Sequence, residues 1–128
     1  MDASYQIVIE PSRDLLRVTL TGFFTIDQIQ ALRAGLVAAL ASLSCPPGTH
    51  RSIFDIRACK IQSQEIVQAL RSMSESKGIT AQRLAIVAGT SLMRMQLRRI
   101  ISQDRLARTF DDVRSAENWV LERVPITA

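Results

Sequence analysis

The sequence contains few side chains of the types that perform catalysis. His50 is the single histidine among the 128 residues, and it follows two prolines and a glycine, which predicts a loop. Neither a serine elbow nor a cysteine nucleophile pattern accompanies it, so the sequence offers no nucleophile for a histidine base to activate. Cys45 and Cys59 lack the spacing of metal ligands and are expected to be reduced thiols. We therefore expect a protein that is not an enzyme and holds no cofactor and no metal.

Two small groups of charged residues lie where strands are predicted to end. Asp55 and Arg57 are two residues apart in a predicted strand, so their side chains point to the same side of it. They can hold a ligand between them or pair with each other, and we favour the ion pair. Asp111 and Asp112 lack a third oxygen ligand for Mg²⁺, so a turn followed by a helix cap is the favoured interpretation.

The most asymmetric charge distribution is in residues 83–108, which contain six arginines and one acid, Asp104. Arg94, Arg98 and Arg105 are spaced so that they share one face of a helix. Three interpretations stay open for this face: a solvated surface, a docking surface for an acidic protein partner, and a nucleic-acid contact. The interleaved aromatic side chains typical of nucleic-acid binding are absent, so we rank that interpretation last and expect no nucleic-acid partner.

A short apolar strand, predicted over residues 84–88, must position the other elements. An uninterrupted apolar run needs cover on both faces, which places this strand in the middle of a parallel sheet. The strand ends at Gly89, and a helix begins at Thr90 or Ser91 and continues to residue 102. The backbone amides of Gly89, Thr90 and Ser91 can bind an anion. The glycines and lysine of a phosphate loop are missing, so we favour a capped strand-to-helix turn.

The remaining residues predict strands and helices that alternate along the chain. The first two strands form an antiparallel hairpin because the turn between them is short, and Thr25 and Gln28 form a capping box before the first helix. The order β-β-α-β-α-β-α-β-α predicts a single α/β domain over residues 1–128, with a mostly parallel five-stranded sheet and an antiparallel first strand. The predicted strands are 5–10, 15–21, 52–56, 84–88 and 106–110, and the predicted helices are 26–43, 63–76, 91–102 and 113–124.

The sequence also carries expectations about location and assembly. No apolar run approaches the ~20 residues of a membrane span, and the N-terminus lacks the features of a signal peptide. We therefore expect a cytoplasmic protein without membrane insertion. An exposed edge strand over residues 5–10 is often covered by a second copy, so we also expect a homodimer.

The order of elements resembles the STAS or SpoIIAA-like fold, which anti-sigma-factor antagonists share with the cytoplasmic domains of sulfate transporters. The resemblance extends from Tyr5 to Val124 and is strongest to the diverged SpoIIAA-like branch of small bacterial proteins. The residues that carry it are Gly22-Phe23-Phe24-Thr25, Phe54-Asp55-Ile56-Arg57, Ala85-Ile86-Val87-Ala88-Gly89, and Phe110-Asp111-Asp112 with Ala116 and Trp119.

The resemblance implies a place for phosphorylation. In the antagonists, a serine at the start of the second helix is phosphorylated within a pattern like Asp-Ser-Ser-Gly. The corresponding stretch of this chain is Gln62-Ser63-Gln64-Glu65, in which only Ser63 matches. A phosphate at Ser63 would meet free amides and the positive end of a helix dipole. Serine at this position is also an ordinary helix cap, and we favour that interpretation.

From these observations we expect a non-enzymatic, cytoplasmic regulatory module that acts by contact with an unidentified protein partner. The alternative is a domain that binds a small molecule, a lipid or a nucleotide, because STAS-like folds include members that bind nucleotides or apolar ligands. Its pocket would lie at the carboxyl ends of the strands, next to the first helix. The candidate rim residues are Phe23, Phe24, Asp55, Arg57, Gly89, Thr90 and Ser91.

Overall fold

The strands and helices of the computed structural model follow the predicted order. The structure describes residues 3–76, 78–100 and 107–122. The strands are β1 (Ser4–Glu10), β2 (Leu15–Gly22), β3 (Arg51–Cys59), β4 (Arg83–Val87) and β5 (Ala107–Phe110). The helices are α1 (Ile26–Ala41), α2 (Gln64–Ser74), α3 (Ser91–Ile100) and α4 (Val113–Val120), and a 3₁₀ turn (Pro11–Arg13) joins β1 to β2.

The strands form one sheet in the order β1-β2-β3-β4-β5. β1 pairs antiparallel with β2, with Ile7 opposite Val18, and the other neighbouring strands are parallel. The predicted fold class, with its antiparallel first strand and mostly parallel sheet, is confirmed. β3 begins one residue earlier and ends three residues later than predicted, and α1 ends at Ala41 instead of residue 43. α2 ends at Ser74 instead of residue 76, and α4 ends at Val120, where Leu121 is its C-cap, instead of residue 124. The predicted helix end at residue 102 and the strand start at Leu106 lie outside the described residues.

Alternation of side chains divides the core between the two faces of the sheet. Leu16 and Leu20 of β2 point to the face that α1, α2 and α3 cover. Leu15 points to the opposite face and packs in a second cluster with Ala116 and Val120 of α4. Three helices therefore lie on one face of the sheet, and α4 lies on the other.

β4 is buried on both faces, as its uninterrupted apolar run predicts. Leu84 and Ile86 belong to the cluster beneath α1, α2 and α3. Ala85 and Val87 belong to the cluster beneath α4. This strand is therefore the centre of the core, and its carboxyl end is fixed from both sides.

The predicted capping box holds the start of α1. The Thr25 hydroxyl accepts a hydrogen bond from the backbone N–H of Gln28 at 3.3 Å, and the Gln28 side chain accepts one from the Thr25 N–H at 2.8 Å. Farther along, α1 lies close over the edge strand, because a Cβ at Gly35 would be only 3.0 Å from Ile7 Cδ1 and 3.9 Å from Tyr5 Cε2. A glycine at this position thus permits α1 to pack onto β1.

An ion-pair cluster connects α4 to the β1–β2 hairpin. Arg17 pairs with Glu10 and, at 2.6 Å, with Glu117 of α4. Arg13 also pairs with Glu10 and lies 3.2 Å from Glu117. We call these four residues the hairpin ion cluster. It links two parts of the chain on the face of the sheet that has a single helix.

Candidate functional site

The carboxyl ends of β2, β3 and β4 lie side by side and form what we call the carboxyl-end rim. Gly22 at the end of β2 is opposite Cys59 at the end of β3. The backbone N–H of Lys60 donates to the Gly22 carbonyl at 3.0 Å, so the two loops that leave these strands stay in contact. The segments that follow, toward α1, α2 and α3, carry most of the residues predicted as a candidate site.

Gln62 connects the loops of the rim. Its side-chain oxygen accepts from the Phe24 N–H at 2.9 Å, and its amide donates to the carbonyls of Gly22 at 3.1 Å and Lys60 at 2.5 Å. Its backbone exchanges two hydrogen bonds with the Gln96 side chain of α3, at 3.1 and 2.9 Å. This buried residue therefore fixes the entries to α1 and α2 against α3. Sequence reasoning noted Gln62 only as a departure from an acidic position, and its sequence context gives no sign of these distant partners.

Ser63 follows Gln62 and caps α2, as the favoured interpretation predicts. Its hydroxyl accepts from the Ile66 N–H at a long 3.4 Å, and the Ser63 carbonyl accepts from the Val67 N–H at 2.9 Å. The side chain is exposed to solvent. Its hydroxyl is thus accessible at a helix N-terminus, where a negative group is stabilised by free amides.

Four large apolar side chains are exposed around the carboxyl-end rim. Their exposed fractions are 48% for Phe23, 47% for Ile61, 67% for Leu92 and 58% for Met95. Phe23 and Ile61 flank segments that the Gln62 side chain joins, and Leu92 and Met95 lie within one helical turn of Gln96. We call this group the rim patch. Of its members, Phe23 alone was predicted from the sequence as a rim residue.

Asp55 and Arg57 form the ion pair that the sequence interpretation favoured. The guanidinium donates from Nε at 2.9 Å and from Nη2 at 2.7 Å to the two carboxylate oxygens. The Arg57 guanidinium holds the pKa of Asp55 below its usual value. The Arg57 side chain also lies beside Gly89, since a Cβ there would be 3.8 Å from Arg57 Cγ. The structure therefore brings these three predicted rim residues together.

The turn from β4 into α3 is capped, again as favoured. The Thr90 hydroxyl accepts from the Met93 N–H at 3.1 Å, and α3 begins at Ser91. Phe24 differs from the other predicted rim residues, because its side chain is buried in the core instead of exposed. Packing against the core at the entry to α1 explains this burial.

The predicted arginine face is seen in part. Arg94 pairs with Asp111, and Arg98 is exposed to solvent. Arg105 lies outside the described residues. Asp112 caps α4 by accepting from the Ser115 N–H at 2.7 Å, and this bond lowers the pKa of its carboxyl group. Asp111 and Asp112 thus serve as an ion-pair partner and a helix cap.

A cavity of about 80 Å³ lies between the sheet, α2 and α3. The alternative function placed a pocket between the first helix and the strand ends, near Phe23, Phe24 and Arg57. Of these three residues, Phe24 lines this cavity, and Phe23 and Arg57 do not. Its position follows from the fit of α2 and α3 on the sheet, which local sequence patterns do not encode. Its lining residues are Leu20, Phe24, Ser52, Phe54, Ile56, Cys59, Gln62, Leu70, Met73, Ser74, Ile79, Leu84, Ile86, Met93, Gln96 and Leu97.

Cys59, in the wall of this cavity, is a poor nucleophile. Burial raises the pKa of its thiol to about 12, and the nearby Asp55 carboxylate adds to the shift. Within residues 3–76, 78–100 and 107–122, no three His, Cys, Asp or Glu side chains are grouped to hold a metal ion. In the same residues, no helix has the length and apolar character needed to cross a membrane.

No protein-family model matches this sequence, and no curated protein matches it. Solved structures are similar in fold. An uncharacterized protein of the DUF3478 family with a SpoIIAA-like fold, from Shewanella loihica PV-4, gives a TM-score of 0.70 at 21% identity over 94% of this chain and 96% of that chain.

Two further similar structures are antagonists of anti-sigma factors. One, from Mycobacterium paratuberculosis, gives a TM-score of 0.61 at 17% identity over 93% of this chain and 96% of that chain. The other, SpoIIAA in its unphosphorylated form, gives a TM-score of 0.61 at 13% identity over 91% of this chain and 97% of that chain. The chain therefore has the SpoIIAA-like, or STAS-like, fold that the sequence resemblance predicted.

Proposed function

We propose that this chain is a non-enzymatic, cytoplasmic regulatory module that binds a partner protein through the carboxyl-end rim. Two proteins of the same fold are anti-sigma factor antagonists, which supports a regulatory role. The observation that carries the proposal is the rim patch, whose four apolar side chains are exposed on segments that Gln62 holds together. Large apolar side chains exposed near one another and among polar groups are typical of a protein contact site.

The charges around the rim patch favour an acidic partner. α3, which carries Leu92 and Met95, contains three arginines and no acidic residue. Arg98 of this helix and Lys60, next to Ile61, are exposed. A partner that presents an apolar side chain flanked by carboxylates would match this surface in both polarity and charge.

Ser63 gives this surface a means of control. It lies next to Gln62 and two residues from Ile61, so its exposed hydroxyl is at the border of the rim patch. Phosphorylation would add a charge of about −1.5 to −2 there. The helix N-terminus would stabilise that charge, and an acidic partner would be repelled by it. The modified module would therefore release its partner.

A photo-crosslinking amino acid in place of Met95 tests the contact directly in the protein's own host. The control places the same amino acid at Val37, which is exposed on α1, away from the rim. We expect one protein to crosslink through position 95 and not through position 37. Absence of a specific crosslink at position 95 would contradict the proposal.

Affinities measured with that purified partner then test the chemistry. Leu92→Glu should weaken binding at least tenfold, because it places a carboxylate in the apolar contact and opposes an acidic partner. Val37→Glu, with the same change of charge, should leave binding unchanged. Ser63→Asp should weaken binding and Ser63→Ala should preserve it. Equal affinity of the Leu92→Glu and Val37→Glu variants would refute the assignment of the rim.

The cavity supports a second candidate function, the binding of a small apolar molecule between α2, α3 and the sheet. Apolar cavities of this kind stay dry and accept small hydrophobic molecules. Benzene is a suitable probe, and we expect it to shift the methyl NMR signals of Met73 and Met93, which line the cavity. Ile86→Phe should fill the space and abolish the shifts. Unchanged spectra at saturating benzene would exclude this candidate.

A further inference from the structure

We propose that two copies of this chain pair through β1 and form one continuous sheet. β1 lies at the edge of the sheet and has β2 as its neighbour on one side. Within residues 3–76, 78–100 and 107–122, no strand lies on its other side, so the backbone N–H and C=O groups there can pair with a further strand. This inference is independent of the proposed function, which concerns the carboxyl ends of the strands.

β1 lacks the features that usually protect an edge strand. Its seven residues include no proline and no basic residue, and its pairing with β2 is continuous from Ser4 to Glu10. The other edge, β5, has four residues and an exposed arginine, Arg108, at its centre. Short edges with a charge at their centre resist pairing, whereas β1 is longer and carries its charged residue, Glu10, at its end, where Arg13 and Arg17 pair with it. β1 is thus the edge suited to accept another strand.

The surface beside β1 continues onto α1. Gly35 brings this helix within contact of Ile7 and Tyr5. Next to Gly35 on the helical surface are Ala31 and Ala38, both exposed, and residues 34–41 contain no polar or charged side chain. Small side chains at this position allow a second helix to approach closely while the two edge strands pair.

A second copy of the chain is the occupant that fits this surface. The chain has a net charge of +4, so contacts between its charged surfaces are repulsive, whereas residues 4–9 and the helix positions beside them, Ala31, Gly35 and Ala38, are uncharged. Antiparallel pairing centred on Ile7 places Tyr5 opposite Ile9 of the second copy, which makes an apolar pair beneath the helices. Glu10 falls opposite Ser4 of the second copy, so no like charges meet. A two-fold contact requires such self-complementarity.

Sedimentation velocity over the micromolar range tests the pairing. We expect a dimer for the unmodified chain and at least a tenfold higher dissociation constant for Ala38→Glu, because two carboxylates would then face each other near the two-fold axis. Val37→Glu on the same helix is the matched control and should remain dimeric. A monomer throughout this range would overturn the proposal, as would equal loss of the dimer in both variants.

A cysteine experiment tests the register and does not depend on Ala38. In the proposed pairing, Gln6 lies opposite Val8 of the second copy. With Cys45 changed to serine, a mixture of the Gln6→Cys and Val8→Cys proteins should form a disulfide-linked heterodimer on oxidation, faster than either protein alone. Preferential crosslinking of either variant with itself would refute this register. Leu92→Glu should leave the dimer intact, so failure of the partner proposal and failure of this one are distinguishable.

Discussion

Gln62 shows how one side chain can organise a surface without belonging to it. Its amide both accepts from the Phe24 N–H and donates to the carbonyls of Gly22 and Lys60. A carboxylate at this position could accept but could not donate. An amide, instead of the acidic residue of the antagonist pattern, therefore makes the position a connector between loops.

We expect Gln62→Leu to lower the free energy of unfolding by about 2–4 kcal/mol, because it leaves buried backbone groups unsatisfied. Urea denaturation followed by circular dichroism measures this loss. Gln62→Glu should also destabilise the fold at neutral pH, since it removes both donated hydrogen bonds.

The matched control is Gln68→Leu, at an exposed position of α2. Its effect should stay within about 0.5 kcal/mol of zero. If Gln62→Leu unfolds at the same urea concentration as this control, then the connecting role of Gln62 is wrong.

At the residue scale, local chemistry was predictable and distant chemistry was not. The caps at Thr25 and Ser63 and the pair Asp55–Arg57 involve residues two or three apart, so their spacing is visible in the sequence. Apart from the neighbouring Lys60 carbonyl, Gln62 finds its partners 34 to 40 residues away. Contacts at such separations depend on the folded arrangement of β2, β3 and α3, which residue spacing does not specify.

At the scale of elements, the hairpin ion cluster makes stability depend on pH. Arg17, and then Arg13, lower the pKa of Glu117 by hydrogen bonding to its carboxylate, and the same two arginines lower that of Glu10. Because the pKa of each carboxyl group is lowered in the folded state, its ion pairs stabilise the fold fully above the pKa of the unfolded chain, about 4.5. This stabilisation is lost as the pH falls through the lower pKa of the folded state.

We therefore expect Glu117→Gln to be less stable than the unmodified chain at pH 7, by under about 1 kcal/mol, since the pairs are partly exposed. The difference should shrink as the pH falls below the usual carboxyl range. Urea denaturation of both proteins across this range measures it. A stability difference that stays constant with pH would contradict the role of the cluster.

The elements themselves were predicted well because their signals are local. Periodicity and caps placed the start of every helix within a residue or two. β3 was predicted too short because its last residues, Ala58 and Cys59, pair with Thr21 and Gly22 after a shift in register. Pairing with β2 stabilises this extension, so the residue pattern within β3 does not predict it.

At the scale of the whole molecule, the apolar run of β4 and the alternation of strands and helices were enough to predict the fold. The rim patch was not predictable as a unit, because Phe23, Ile61 and Leu92 come from three different loops and helices. The extent of the cavity between α2, α3 and the sheet was not predictable for a similar reason: its volume depends on how closely α2 and α3 approach the sheet. Surfaces and voids arise from assembly of the elements, whereas the elements arise from local sequence.

The direction of β1 has a consequence for any assembly built on it. β2 runs opposite to β1, so if two β1 strands pair antiparallel, the β2 strands of the two copies also run in opposite directions. The two carboxyl-end rims then lie at opposite ends of the joined sheet. In such a dimer, the two rims cannot bind the same partner molecule. The dimer would be a bivalent linker that holds two partner molecules apart, one at each end.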